Sequence, residues 1–170
     1  MPDTNSQWVS SRGYLLSEVA GKNVFEAALD RVRYLFSLSD NYVVSFSGGK
    51  DSTSVLMVSL MIARELERLP LEVAMVDEEV IDPDTTTYVS EIAKWSELKF
   101  RWFCVPIRHT LRSKTRSCWF TWDPEEKDRW VRPLPDGAIT SVVGLDEKSS
   151  YSDVLHNFYL QELKLDKIVC

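Results

Sequence analysis

The sequence predicts a three-layer α/β/α domain on a mainly parallel sheet of about four to five strands. Three observations carry this. Apolar residues switch along the chain between the 3.6-residue spacing of helices and the short β-branched and aromatic runs of strands. The two kinds of segment alternate, so helical crossovers join parallel strands covered on both faces. The length, 170 residues, suits one such domain and can bury a core without disulfide or metal staples.

Residues 1–21 are polar and irregular and read as a flexible lead, and 22–165 read as the single domain. In 22–38, Val24, Phe25, Ala28, Leu29, Val32, Leu35 and Phe36 share a helical stripe, with Asn23 as cap and Glu26 as its capping-box partner. YVVSF (42–46) reads as a buried strand, broken by Ser47, Gly48 and Gly49. A helix over 52–68 follows and Pro70 stops it. LEVAMV (71–76) is the next strand, with Asp77, Glu78 and Glu79 at its end. A helix from Pro83 to about Leu98 leads to a strand at 99–105. Residues 106–137 form a long Trp-rich, charged insertion. AITSVV (138–143) reads as a fourth strand ended by Gly144, and a last helix covers roughly 150–163.

Composition excludes several classes. With 20 Lys and Arg against 26 Asp and Glu, the net charge is −6, which argues against a general nucleic-acid or membrane binder. Anion binding must come from a local site. Cys104, Cys118 and Cys170 are too few and too scattered for a disulfide framework or a C-x-x-C metal site. There is no signal-peptide pattern and no apolar run near ~18 residues, so a cytoplasmic protein without membrane association is expected.

The segment with chemistry in it is YVVSFSGGKDSTSVL, 42–56. Two glycines let the chain turn sharply and bring backbone N–H groups to a ligand. The helix that follows offers its first N–H groups and its positive dipole end. Lys50 adds a charge, and Ser47 and Ser52 add hydroxyls. Together these form a phosphate cradle. It is neither a Walker A loop, since Asp51 follows Lys50, nor a G-x-G-x-x-G turn.

Ser47-Gly48-Gly49-Lys50-Asp51-Ser52 resembles the PP-loop, S-G-G-x-D-S, of the adenine-nucleotide α-hydrolase superfamily. Within it the chain is most similar to proteins related to phosphoadenosine-phosphosulfate (PAPS) reductase, notably phage- and plasmid-borne ones. The helix from Lys22 to Phe36, the block CWFTWDPEEKDRWVRPLP (118–135) and ITSVVGL (139–145) carry the rest of the likeness, which covers about 22–150. It departs in two places. Gly144-Leu145 is followed by Asp146 rather than Arg, and Cys170 lacks the C-G-x-H-type context of reductases.

The resemblance implies an adenine nucleotide, ATP or a PAPS-like relative, bound by Ser45, Phe46, Ser47, Gly48, Gly49, Lys50, Asp51 and Ser52, with Asp77 and Gly144 nearby. It implies catalytic roles for Lys50 and Asp51, and Mg²⁺ held by Asp51, which alternatively caps the following helix. Asp77 either faces the nucleotide or Mg²⁺, or is a solvated acid at a strand end. The implied activity is attack at the α-phosphate of ATP with pyrophosphate release, or chemistry on a sulfated nucleotide. The alternatives are a reductase using an external thiol donor and a non-catalytic nucleotide-binding regulatory module.

Other features have two readings each. Arg108, His109, Arg112, Lys114 and Arg116 clamp a sulfate, a 3′-phosphate or a nucleic-acid backbone, or form a solvated loop balanced by Asp123, Glu125, Glu126 and Asp128. Trp119, Trp122 and Trp130 stack a base or meet a protein partner, or pack a core under the insertion. Cys118 is either a thiol activated by Arg116 or a structural cysteine. His156 has no assigned role.

Overall fold

The computed structural model describes residues 21–110, 118–146 and 149–162. The lead at 1–20, residues 111–117 of the basic run, and Cys170 lie outside the described residues, as do the side chains of Cys118 and Trp119.

Helix α1 (Val24–Leu38) starts as its sequence predicts. The Asn23 side chain accepts from the Glu26 N–H at 2.9 Å, and the Glu26 carboxylate accepts from the Asn23 N–H at 3.1 Å. Then come β1 (Val43–Ser45), α2 (Lys50–Glu65), β2 (Leu71–Val76), α3 (Pro83–Ala93) and β3 (Leu98–Phe103). The strands form one parallel sheet in the order β1-β2-β3, with Val44 opposite Val73 and Val73 opposite Phe100. Strand alternation sorts their side chains. Val44, Val73, Met75 and Trp102 join Phe36, Leu56, Leu60, Val89 and Ile92 of α1, α2 and α3 on one face. Ala74 and Phe103 join Val154 and Tyr159 of α4 (Tyr151–Glu162) on the other. Helices thus cover both faces of a mixed α/β domain.

One expectation is corrected. The segment 138–143 is not a full strand: only Ile139 pairs, in a parallel bridge to Phe103. Its N–H donates to the Trp102 carbonyl at 2.7 Å, and its carbonyl accepts from Cys104 at 2.8 Å. β3 ends at Phe103, so a fourth strand finds little edge to extend along. Among the described residues the sheet has three strands. The insertion at 106–137, in turn, contains an antiparallel pair, β4 (Ile107–Thr110) and β5 (Cys118–Thr121), with Ile107 opposite Thr121. Among the described residues no helix is long and apolar enough to cross a membrane.

Candidate functional site

β1 delivers the chain to the glycine loop. Phe46 is buried, and its N–H donates to the Ala74 carbonyl at 2.8 Å. Its ring meets Phe100 edge-on at 6.0 Å. The backbone is thus anchored up to the residue before Ser47, while Ser45 and Ser47 are exposed. Gly48 has φ +76°, and a Cβ there would come within 2.7 Å of Val89 Cγ2 and 2.8 Å of Thr85 Cγ2 on α3. Both the backbone conformation and the close approach demand glycine. Gly49 is the N-cap of α2, and no side chain caps that helix. Its first-turn N–H groups are therefore left without a capping side chain.

The loop is braced from within. Ser52 Oγ donates to the Gly49 carbonyl at 3.0 Å and lies 3.1 Å from Ser47 Oγ. Thr53 Oγ1 donates to the same carbonyl at 2.9 Å and accepts from the Tyr88 hydroxyl at 3.3 Å, a tie to α3. Lys50 and Asp51 are exposed in the first turn of α2. Since Gly49 occupies the cap position, Asp51 does not cap the helix. A cleft of about 340 Å³ opens beside the loop at the C-terminal ends of β1 and β2. Ser47, Met75, Val76, Glu78, Val80, Ile81 and Asp82 line it. This is the end of a parallel sheet at which ligands bind.

Asp77 is not solvated, which corrects that reading of it. It is 0% exposed. Arg132 Nη2 bridges its two carboxylate oxygens at 2.6 Å each, Trp102 Nε1 donates at 2.6 Å, and the Glu79 N–H donates at 2.7 Å. Arg132 also lies over the Trp122 ring, 5.0 Å from its centroid. Glu79 is buried too, and its carboxylate accepts from the N–H groups of Trp122 at 2.7 Å and Val131 at 2.9 Å. Trp122 and Trp130 pack edge to face at 5.3 Å. The acids after β2 therefore fasten the Trp-rich block to the sheet. Of its three tryptophans, Trp122 and Trp130 serve the core. The Cys104 thiol lies beneath, pushed up by burial and then by the charge of Asp77.

Gly144 packs against α4. It has φ +84°, and its carbonyl accepts from Asn157 Nδ2 of α4 at 3.1 Å. The contacts made by its turn join it to α4. Ser45 to Ser52 form one continuous loop and helix start, the Asp77 carboxylate is bonded to Arg132, Trp102 and the Glu79 N–H, and the Gly144 carbonyl is bonded to Asn157. Sequence reasoning missed Arg132 and Glu79. Glu79 lies past the end of β2 with φ +63°, so strand alternation gave no signal for its burial. For Mg²⁺, Asp51 fits a site in which one carboxylate assists bound phosphate oxygens. Among the described residues no group of three or more His, Cys, Asp or Glu is placed to hold a metal by itself.

No family model matches the chain, and no solved structure matches it. It is 30% identical over 122 residues to the uncharacterized protein YbdN of Escherichia coli (strain K12). The match takes in 69% of this chain, which spans 29% of that relative's length.

Proposed function

We propose that the chain is an adenine-nucleotide-binding domain of the PP-loop type that acts at the α-phosphate of ATP. The observation that carries this reading is the geometry of Gly48 and Gly49: a left-handed glycine packed on α3, followed by a helix start that no side chain caps. The phosphates would sit on the N–H groups of α2, with Lys50 offsetting their charge and Ser47 and Ser52 donating or accepting at the rim. Mg²⁺, where present, would be shared between Asp51 and phosphate oxygens and would supply further neutralisation of the developing charge. The apolar floor of the neighbouring cleft, Met75, Val76, Val80 and Ile81, suits a nucleobase, and Glu78 and Asp82 at its sides suit hydroxyl donors.

Contacts of this kind contribute mainly as charge moves to the leaving pyrophosphate, each removing about 3–4 kcal/mol from the barrier. The test is thermal stabilisation by ATP, AMP, adenosine phosphosulfate and PAPS, each with and without Mg²⁺. ATP should stabilise the wild type in a Mg²⁺-dependent way, following RT ln(1 + [L]/Kd). Lys50→Ala should keep the fold but lose that shift and any pyrophosphate release. A shift with sulfated nucleotides alone would move the reading to the reductase class. No shift with any of them would leave a loop without a nucleotide.

A further inference from the structure

The chain leaves β2 through residues 77–82, and these divide between two sides. Glu78, Val80, Ile81 and Asp82 line the cleft beside the loop. Asp77 and Glu79 are buried and bonded to the Trp-rich block. The backbone between them is tied to the residues just behind it. The Glu79 N–H donates to the Asp77 carboxylate at 2.7 Å, the Val80 N–H to the Glu78 carbonyl at 2.6 Å, and the Ile81 N–H to the Glu79 carbonyl at 3.0 Å. Trp122 Nε1 reaches the Asp77 carbonyl at 2.9 Å from the far side. Glu79 has φ +63°, and Trp122, whose N–H its carboxylate holds, has φ +51°. Two left-handed residues that are not glycine thus meet through one buried hydrogen bond. Such conformations persist only where the surroundings over-determine them. Here the carboxylate supplies that determination: it accepts from the Trp122 N–H at 2.7 Å and the Val131 N–H at 2.9 Å. Without it Glu79 would relax toward negative φ and carry Val80 and Ile81 with it.

We propose that Glu79 is a positioning residue for the nucleobase: clamped by the Trp122 and Val131 N–H groups, it holds the 78–82 wall of the cleft in the shape that receives the base. The inference rests on the nucleotide reading above. The Trp-rich block then governs the affinity of a cleft that none of its described residues lines. The hydrogen bonds of Glu79 run to Asp77, Ile81, Trp122 and Val131, and none runs to the glycine loop. Its effect therefore falls on the base half of the ligand and spares the phosphate half, which belongs to the loop and the first turn of α2. The gain is one of preorganisation. A wall already fixed in its bound shape loses less freedom when the ligand arrives.

The experiment is calorimetric titration of the full chain with Mg²⁺–ATP and, separately, with Mg²⁺–tripolyphosphate. Tripolyphosphate probes the loop alone, and ATP probes the loop and the cleft. Glu79→Asn keeps a residue that tolerates left-handed backbone but is one methylene too short to reach both N–H groups. It should raise the Kd for ATP about tenfold and leave that for tripolyphosphate unchanged. Glu79→Gln retains one acceptor oxygen and should show a smaller loss in the same direction, and it carries the test where Glu79→Asn does not fold. Lys50→Ala should weaken both ligands together. On the wild type, amide exchange adds a measurement that needs no variant. The N–H groups of Glu79, Trp122 and Val131 should share one level of protection, because one clamp opens to release all three. ATP affinity unchanged in a folded Glu79 variant, or falling in step with tripolyphosphate, would overturn the proposal while the nucleotide reading stands. So would unequal protection of those three amides. A wild type that binds neither ligand would overturn both.

Discussion

Gly48 concentrates the demands of the loop in one residue. Its φ of +76° is costly for any side chain, and the space a Cβ would fill is already occupied by Val89 and Thr85. Gly137 separates the two effects, for its φ is +74° but nothing lies within 4 Å of its missing Cβ. Gly137→Ala should therefore cost only the backbone strain, about 1 kcal/mol. Gly48→Ala should cost about 1–3 kcal/mol more, because the added methyl forces α3 or the loop to shift. Urea unfolding of the two variants compares them directly. Equal midpoints would mean that the loop does not press on α3 as described.

The Trp-rich block stands or falls with two buried carboxylates. If Asp77 were a Mg²⁺ or nucleotide ligand, its loss would weaken ATP binding and spare stability. Its partners argue for the opposite outcome. Asp77→Asn removes the charge that Arg132 faces, and truncating one side of a buried ion pair costs about 3–5 kcal/mol. A fall of that size in unfolding free energy is expected, together with faster amide exchange at Trp102 and Arg132 than at the α1–α2 contact. Unchanged stability would contradict the staple. The same pair explains what could and could not be read in advance. The loop was legible because its six residues, the strand before it and the helix after it are contiguous. α1 was legible from its stripe and capping box. Helix α2 begins at Lys50 rather than 52, since Gly49 takes the cap. Asp77 was misread because Arg132 lies 55 positions away, and nothing local distinguishes a fastened acid from a solvated one. The fourth strand was overread for a related reason. AITSVV has the right residues, but pairing depends on how far β3 continues beside it.

The protein as a whole holds several acidic protons that an unfolded chain would release. Burial pushes up the thiol of Cys104, with the Asp77 charge adding to it. Burial likewise pushes up the phenols of Tyr159, beside Glu72, and Tyr151, beside Glu78. For such groups the sign of the pH effect is fixed. Below the ordinary thiol value, about 8.5, both states are protonated and stability is unaffected by them. Above it the unfolded chain loses protons that the folded chain keeps, so the unfolding free energy falls as pH rises. The decline begins in the thiol range and steepens near pH ~10, where free phenols ionise. Cys104 alone contributes up to about 1.4 kcal/mol per pH unit in that window. Urea midpoints measured between pH 7.5 and 10.5 should be level at first and then drop. In Cys104→Val the early part of the drop should vanish while the later, phenolic part persists. A midpoint that stays level to pH 10.5 would mean that these side chains are not shut away from water. In that case the packing of the Trp-rich block over Cys104, on which the position of Asp77 depends, would be wrong as well.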